Sequence, residues 1–111
     1  MARIAIVTGG ARGIGRGCAH ALAEKGFDIA LVDLLEPEME RTAGEIRAMG
    51  RRASVHAADV ADFARAAAIV AKVEADWGGV DFLLNNAGKS MPKPMLEITE
   101  EEFDRTIAIN L

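Results

Sequence analysis

The chain has 111 residues, half of them hydrophobic and 27% charged, with a formal net charge of −4, which suits one soluble domain with one modest core. The acidic balance argues against nucleic acid as a partner, because a phosphate backbone needs a basic footprint. The early apolar run Ile4 to Val7 is too short for a signal h-region or a membrane span, so no membrane association is expected either.

In chain order, Arg3 to Val7 (R-I-A-I-V), ended by glycines, predicts a strand buried on both faces. From Gly13 to Lys25, Ile14, Cys18 and Leu22 recur every four residues and predict the inner stripe of a helix, with Gly26 at its C-terminal turn. Cys18 is the single cysteine, so it has no internal disulfide partner and fits a reducing, cytoplasmic compartment. Asp28 to Leu34 predicts a second buried strand. Pro37 suits the first turn of a second helix, whose inner face is Met39, Thr42, Ala43 and Ile46 and which Gly50 closes. Arg52 to Ala57 is a weaker third strand. Phe63, Ala66, Ala67, Val70 and Trp77 are expected on one side of a third helix, broken by Gly78-Gly79. Val80 to Asn85 predicts a fourth strand, Gly88 to Ile98 a loop, and Thr99 with Glu102 a capping box that opens a last helix. Glu100-Glu101-Glu102 fits that helix's first turn, where the dipole favours acidic residues. His20 and His56 have no metal-ligand spacing with each other or with Cys18, and no metal site is expected.

Strand and helix alternating in this way predict a parallel sheet with helices on both faces, a Rossmann-type doubly wound α/β fold. The first strand runs into T-G-G-A-R-G-I-G, Thr8 to Gly15. A turn between strand and helix presents free backbone N–H groups, and with the helix dipole these attract a diphosphate. Gly9 suits the sharp turn, Gly13 a path under the pyrophosphate and Gly15 close packing. Asp33 lies eighteen residues past Gly15, at the end of the second strand. A carboxylate there accepts hydrogen bonds from an adenosine ribose diol and repels a 2′-phosphate, which favours NAD over NADP; Arg12 in the turn pulls the other way.

The spacing T-G-x-x-x-G-x-G, the N-N-A-G at Asn85 to Gly88, Asp59-Val60 after the third strand and Asn110 in the last helix together resemble the short-chain dehydrogenase/reductase family, over the whole chain but only the N-terminal half of a usual member. The resemblance implies a sheet of order 3-2-1-4 with a crevice between strands one and four. It places Gly9, Arg12, Gly13, Ile14 and Gly15 at the pyrophosphate and Asp33 and Leu34 at the adenosine ribose. Asp59 would face the adenine amino group and Val60 pack on the ring. Asn86, Ala87 and Gly88 would run beside the nicotinamide ribose, while Asn85 braces the sheet. Asn110 resembles the asparagine that holds a water in the family's proton relay. The implied activity is hydride transfer between NAD and an alcohol or ketone, in a homo-oligomer (dimer or tetramer) that pairs through the helix near Thr99.

The family's catalytic serine and Tyr-x-x-x-Lys are not found: the chain has no tyrosine, and Ser54 and Ser90 match no catalytic position. Strand four would also be left as an open apolar edge. A truncated oxidoreductase is therefore expected. The rival readings are an NADP-dependent 3-oxoacyl carrier-protein reductase-like enzyme, a non-catalytic dinucleotide-binding module, and an S-adenosylmethionine methyltransferase, against which N-N-A-G and the glycine spacing speak.

Overall fold

The computed structural model describes residues 3–87 and 99–110, with the backbone alone at Thr106 and Asn110. In chain order the elements are β1 (Arg3–Thr8), α1 (Gly13–Glu24), β2 (Phe27–Asp33), α2 (Glu36–Ala48), β3 (Ala53–Ala57), α3 (Phe63–Trp77), β4 (Phe82–Leu84) and α4 (Glu100–Asn110). The four strands form one parallel sheet in the order β3-β2-β1-β4, the Rossmann-type order expected from the sequence. Its register pairs Thr8 with Val32, Val7 with Leu84 and Asp33 with Ala57. Because the strands are parallel, the chain leaves β1, β2, β3 and β4 at the same edge of the sheet, and the loops that follow them meet there.

β1 and β2 are buried on both faces, so their side chains divide by parity. Ala5, Val7, Ile29 and Leu31 face the side of α1 and α2, where they pack with Ala19, Ala23, Met39, Ala43 and Ile46. Ile4, Ile6, Ala30 and Val32 face the other way, onto Ile69 and Val73 of α3. Full burial of a side chain such as Ile29 or Leu31 is worth about 1.5–3 kcal/mol, which makes these two central strands the frame for the loops beyond them.

α2 buries Met39, Thr42, Ala43 and Ile46 as its spacing predicts. Two helix faces differ from expectation. In α1 the buried residues are Gly15, Ala19 and Ala23, while Ile14 is 78% exposed. The stripe is displaced by one position because the smallest side chains, not the largest, let this helix lie close against the sheet. In α3 the buried pair is Ile69 and Val73; Val70 and Trp77 flank it, Ala67 is exposed, and Phe63 is 85% exposed at the helix's first residue. The third helix thus uses a narrower i, i+4 seam than the broad face read from Phe63 to Trp77. At its start the Asp62 side chain accepts from the Arg65 N–H at 3.0 Å, and at its end Gly78 closes it with φ 91°, the break expected from the sequence. The Thr99–Glu102 capping box forms reciprocally, Glu102 N–H to Thr99 Oγ1 at 3.1 Å and Thr99 N–H to Glu102 Oε1 at 3.3 Å. β4 is shorter than Val80 to Asn85, and its Phe82 and Leu83 are exposed on an open edge. No described helix is long and apolar enough to cross a membrane.

Polar groups in the frame are partnered. Buried Asp28 accepts from the Arg52 N–H at 2.9 Å and from Arg52 Nε at 2.8 Å, and the Arg52 guanidinium lies 4.8 Å from the Trp77 ring centroid. Burial pushes the Asp28 carboxyl up, but the Arg52 contacts outweigh it and hold the group below the usual carboxylate range. On the surface, Arg16 and His20 of α1 converge on Glu45 of α2; Arg16 first and then His20 lower its carboxyl to about 2. Buried His56 on β3 shares a 2.9 Å hydrogen bond with Ser54 Oγ. Burial, then the charges of Arg65 and Lys72, push the His56 imidazole below its ordinary value, with Asp76 opposing. Such a group stabilises the fold fully above the ordinary histidine pKa of about 6.5, and that stability is lost as pH falls toward the lowered value. Thermal melts from pH 8 down to 5 should therefore show a loss of stability that is smaller in His56→Gln; equal losses in both proteins would contradict this account.

Candidate functional site

The site is assembled where the chain leaves the four strands. Thr8 ends β1, and its hydroxyl uses its full capacity. It donates to the Leu84 carbonyl at 3.2 Å and accepts from the Asn86 and Ala87 N–H groups, both at 3.0 Å. Asn86 answers from the other side, its Nδ2 donating to the Gly9 carbonyl at 3.3 Å. The turn after β4 is thus locked onto the glycine turn after β1. This corrects the expectation for Asn85, which is exposed. Bracing falls to Asn86, the residue that the chain turns back toward the Gly9 carbonyl once β4 ends at Leu84.

The glycine turn shows why side chains are excluded. Gly9 has φ +68°, and a Cβ there would sit 2.8 Å from Asn86 Nδ2 and 3.1 Å from the Ala87 Cα. A Cβ on Gly15 would come within 2.0 Å of the Gly9 carbonyl oxygen. Gly13 differs: at φ +60°, nothing among the described residues lies within 4 Å of where a Cβ would stand, which leaves its face open to a ligand. Arg12, the residue before α1, makes no side-chain cap, and the first turn of α1 carries no acidic residue. Among the described residues no side chain accepts from the first N–H groups of that helix, the arrangement that binds anions. The middle of the turn is held rigidly at Ala11. Its N–H donates to Asp33 Oδ2 at 3.1 Å, and its carbonyl accepts from the hydroxyl of buried Thr42 at 3.1 Å.

Asp33 also accepts the N–H groups of Leu34 at 2.7 Å and Leu35 at 3.1 Å, both on Oδ1. Three backbone donors therefore fix this carboxylate, leaving about one of its four acceptor positions open, on Oδ2. Asp59, after β3, accepts the Ala61 N–H on Oδ1 at 2.9 Å and pairs through Oδ2 with Arg105 of α4. The Ala61 N–H, then Arg105, hold the Asp59 carboxyl below its usual range.

Together these loops enclose a cavity of about 450 Å³. Gly9, Arg12 and Gly13 of the turn, Asp33 and Leu34 after β2, Asp59 and Val60 after β3, and Asn86 and Ala87 after β4 all line it. Of the other residues singled out in the sequence, Ile14 projects outward from the first turn of α1 and Gly15 is buried beneath the turn, neither on the cavity wall. Gly88 lies outside the described residues, and Asn110 is the last residue of α4. Sequence reasoning missed the Thr8 hydroxyl, Thr42, and the two α4 residues Arg105 and Ile109 that complete the cavity wall. Thr8 had a signal in its place at the head of the glycine motif. Arg105 had none, since its partner Asp59 lies 46 residues away.

A parallel α/β sheet of order β3-β2-β1-β4, opening on a glycine turn, is of the Rossmann type. The sequence pattern of the short chain dehydrogenase family matches residues 3–111, and the chain belongs to that family. It is 42% identical to L-2,3-butanediol dehydrogenase of Corynebacterium glutamicum, over all of this chain and 44% of that protein. It is 38% identical to galactitol 2-dehydrogenase of Agrobacterium fabrum, over 98% of this chain and 41% of that one. Among solved structures, a metagenomic short-chain oxidoreductase in complex with NADP superposes with a TM-score of 0.93 at 34% identity, covering 98% of this chain and 50% of that chain. L-Sorbose reductase from Gluconobacter frateurii, complexed with NADPH and L-sorbose, superposes with a TM-score of 0.91 at 29% identity, covering 97% of this chain and 41% of that one. The chain spans less than half the length of these two curated relatives.

Proposed function

We propose that this chain forms the cofactor-holding part of a nicotinamide-dependent oxidoreductase acting on a small alcohol or ketone, with NAD favoured over NADP. The observation that carries the reading is the pairing, on one cavity wall, of a glycine turn open at Gly13 with the fixed carboxylate of Asp33. The residues present fit a dinucleotide. The uncapped N–H groups at the start of α1 face the place a diphosphate would take, with Arg12 beside them. Asp33 has one open acceptor position on Oδ2 for a ribose hydroxyl, while its negative charge disfavours a 2′-phosphate. At about 4 Å that repulsion is roughly 4 kcal/mol per charge pair at moderate effective dielectric, before salt screening.

Leu34 and Val60 supply apolar walls for an adenine, and Asp59 an acceptor for its amino group. Asn86 and Ala87 lie at the β4 side, for the nicotinamide ribose. When bound, the nicotinamide supplies the hydride acceptor or donor. Asn110 is assigned the holding of a water in the proton path. The names of the similar proteins, dehydrogenases of a diol and of a sugar alcohol, support a polar, hydroxylated substrate. The single cysteine supports a reducing, cytoplasmic compartment, and the family resemblance supports a homo-oligomer, dimer or tetramer.

Two observations favour NADP instead: Arg12 is exposed on the same wall, and the similar structures named above were solved with NADP or NADPH. The experiment is to incubate the complete natural polypeptide with NAD or NADP and a panel of diols, sugar alcohols and simple secondary alcohols, following reduced nicotinamide. Reduction of NAD in preference to NADP is expected. No reduction of either, in a protein that also binds neither, would overturn the reading.

A further inference from the structure

We propose that Arg105 is a positioning residue for the adenine end of the cofactor: from α4 it holds one oxygen of the Asp59 carboxylate, so that the remaining acceptor positions accept a 6-amino group and reject a 6-oxo group. This rests on the dinucleotide reading above and deepens it. Asp59 is gripped from two directions. The Ala61 N–H, two residues along the same loop, holds Oδ1 at 2.9 Å. Arg105 Nη1 holds Oδ2 from a helix 46 residues further on. Two of about four acceptor positions are thus used, and two remain.

Both side chains line the cavity, and neither is buried away from it: Arg105 is 41% exposed and Asp59 29%. An ionised carboxylate can only accept, so a fixed Asp59 favours an N–H donor on the base and opposes a carbonyl oxygen. Without Arg105 the carboxylate keeps only its Ala61 anchor and can rotate away from the base. The Arg105 charge also offsets that of Asp59 in a cavity that already holds Asp33 and is to receive a diphosphate. An ordinary half-exposed ion pair contributes little to stability. A purely structural role for Arg105 would therefore leave base selectivity untouched, and selectivity is the property to measure.

The test uses the complete natural polypeptide, titrated by fluorescence with NADH and with its hypoxanthine analogue, in which the 6-amino group is replaced by oxygen. The wild-type protein is expected to bind NADH at least about tenfold more tightly than the analogue, a difference on the scale of one charge-assisted hydrogen bond. In Arg105→Ala the ratio should fall to about threefold or less. Arg105→Gln keeps a stem on α4, removes the charge, and should narrow the ratio in the same direction. In an Asp59→Asn background, Arg105→Ala should change the ratio no further. A wild-type ratio retained in both Arg105 variants, whatever their melting temperatures, overturns the proposal and leaves the dinucleotide reading standing. A wild-type protein that binds neither nucleotide overturns both.

Discussion

Gly15→Ala is expected to weaken NADH binding by at least about a hundredfold and to lower stability by roughly 1–3 kcal/mol or more, the range for forcing a methyl group into packed structure. The added Cβ would lie 2.0 Å from the Gly9 carbonyl oxygen and 2.6 Å from Asn86 Nδ2. Neither neighbour can move cheaply. Gly9 is tied to β2 by its N–H on the Val32 carbonyl at 2.8 Å, and Asn86 is held by the Thr8 hydroxyl. Relief of the clash must displace the Gly9 carbonyl, which breaks the Asn86 contact and shifts the turn proposed to hold the diphosphate. Gly17 provides the control. It lies on the same helix with nothing within 4 Å of an added Cβ, and Gly→Ala inside a helix stabilises by about 0.5–1 kcal/mol. Paired melts and NADH titrations of the two variants check this. Equal binding by Gly15→Ala and Gly17→Ala would contradict the account.

Asp33→Ala should do two things at once. It removes the carboxylate proposed to meet the adenosine ribose, and it strips the acceptor from the N–H groups of Ala11, Leu34 and Leu35. Losing hydrogen bonds to a charged acceptor costs about 1.5–3 kcal/mol each where the donors stay dry, and less where water replaces the lost partner. NADH affinity should therefore fall about tenfold to a hundredfold. NADPH affinity should fall less, because removal of the negative charge relieves repulsion of a 2′-phosphate while Arg12 remains on the wall. The ratio of the two affinities is the decisive readout. An unchanged ratio would show that Asp33 serves only to hold the glycine turn.

The parts of this molecule that were readable from sequence are those fixed by local rules. Apolar runs alternating with helical spacings, the first strand and the first three helices ended by glycines, gave the element order, and parallel crossovers then restricted how the strands could be arranged. The inner face of α2 was readable because its apolar and threonine positions repeat cleanly. In α1 the same method failed, since it weighed Ile14 and Leu22 above Ala19 and Ala23, whereas close approach to the sheet selects small side chains. In α3 the exposed Phe63 counted as core although it stands at the helix's first residue. At the site, the glycine turn and Asp33 carried signals in their spacing from the first strand. The contacts that lock the loops together did not. Thr8 to the β4 turn, Thr42 to Ala11 and Arg105 to Asp59 join positions 31 to 79 residues apart, and such pairings exist only once the sheet has brought the loops to one edge.

The most direct measurement is calorimetric titration of the complete natural polypeptide with NADH and, separately, NADPH at moderate ionic strength. The account predicts saturable binding of NADH, at least about tenfold tighter than NADPH, on the repulsion expected between Asp33 and a 2′-phosphate after salt screening. Heat of dilution alone for both nucleotides would contradict it.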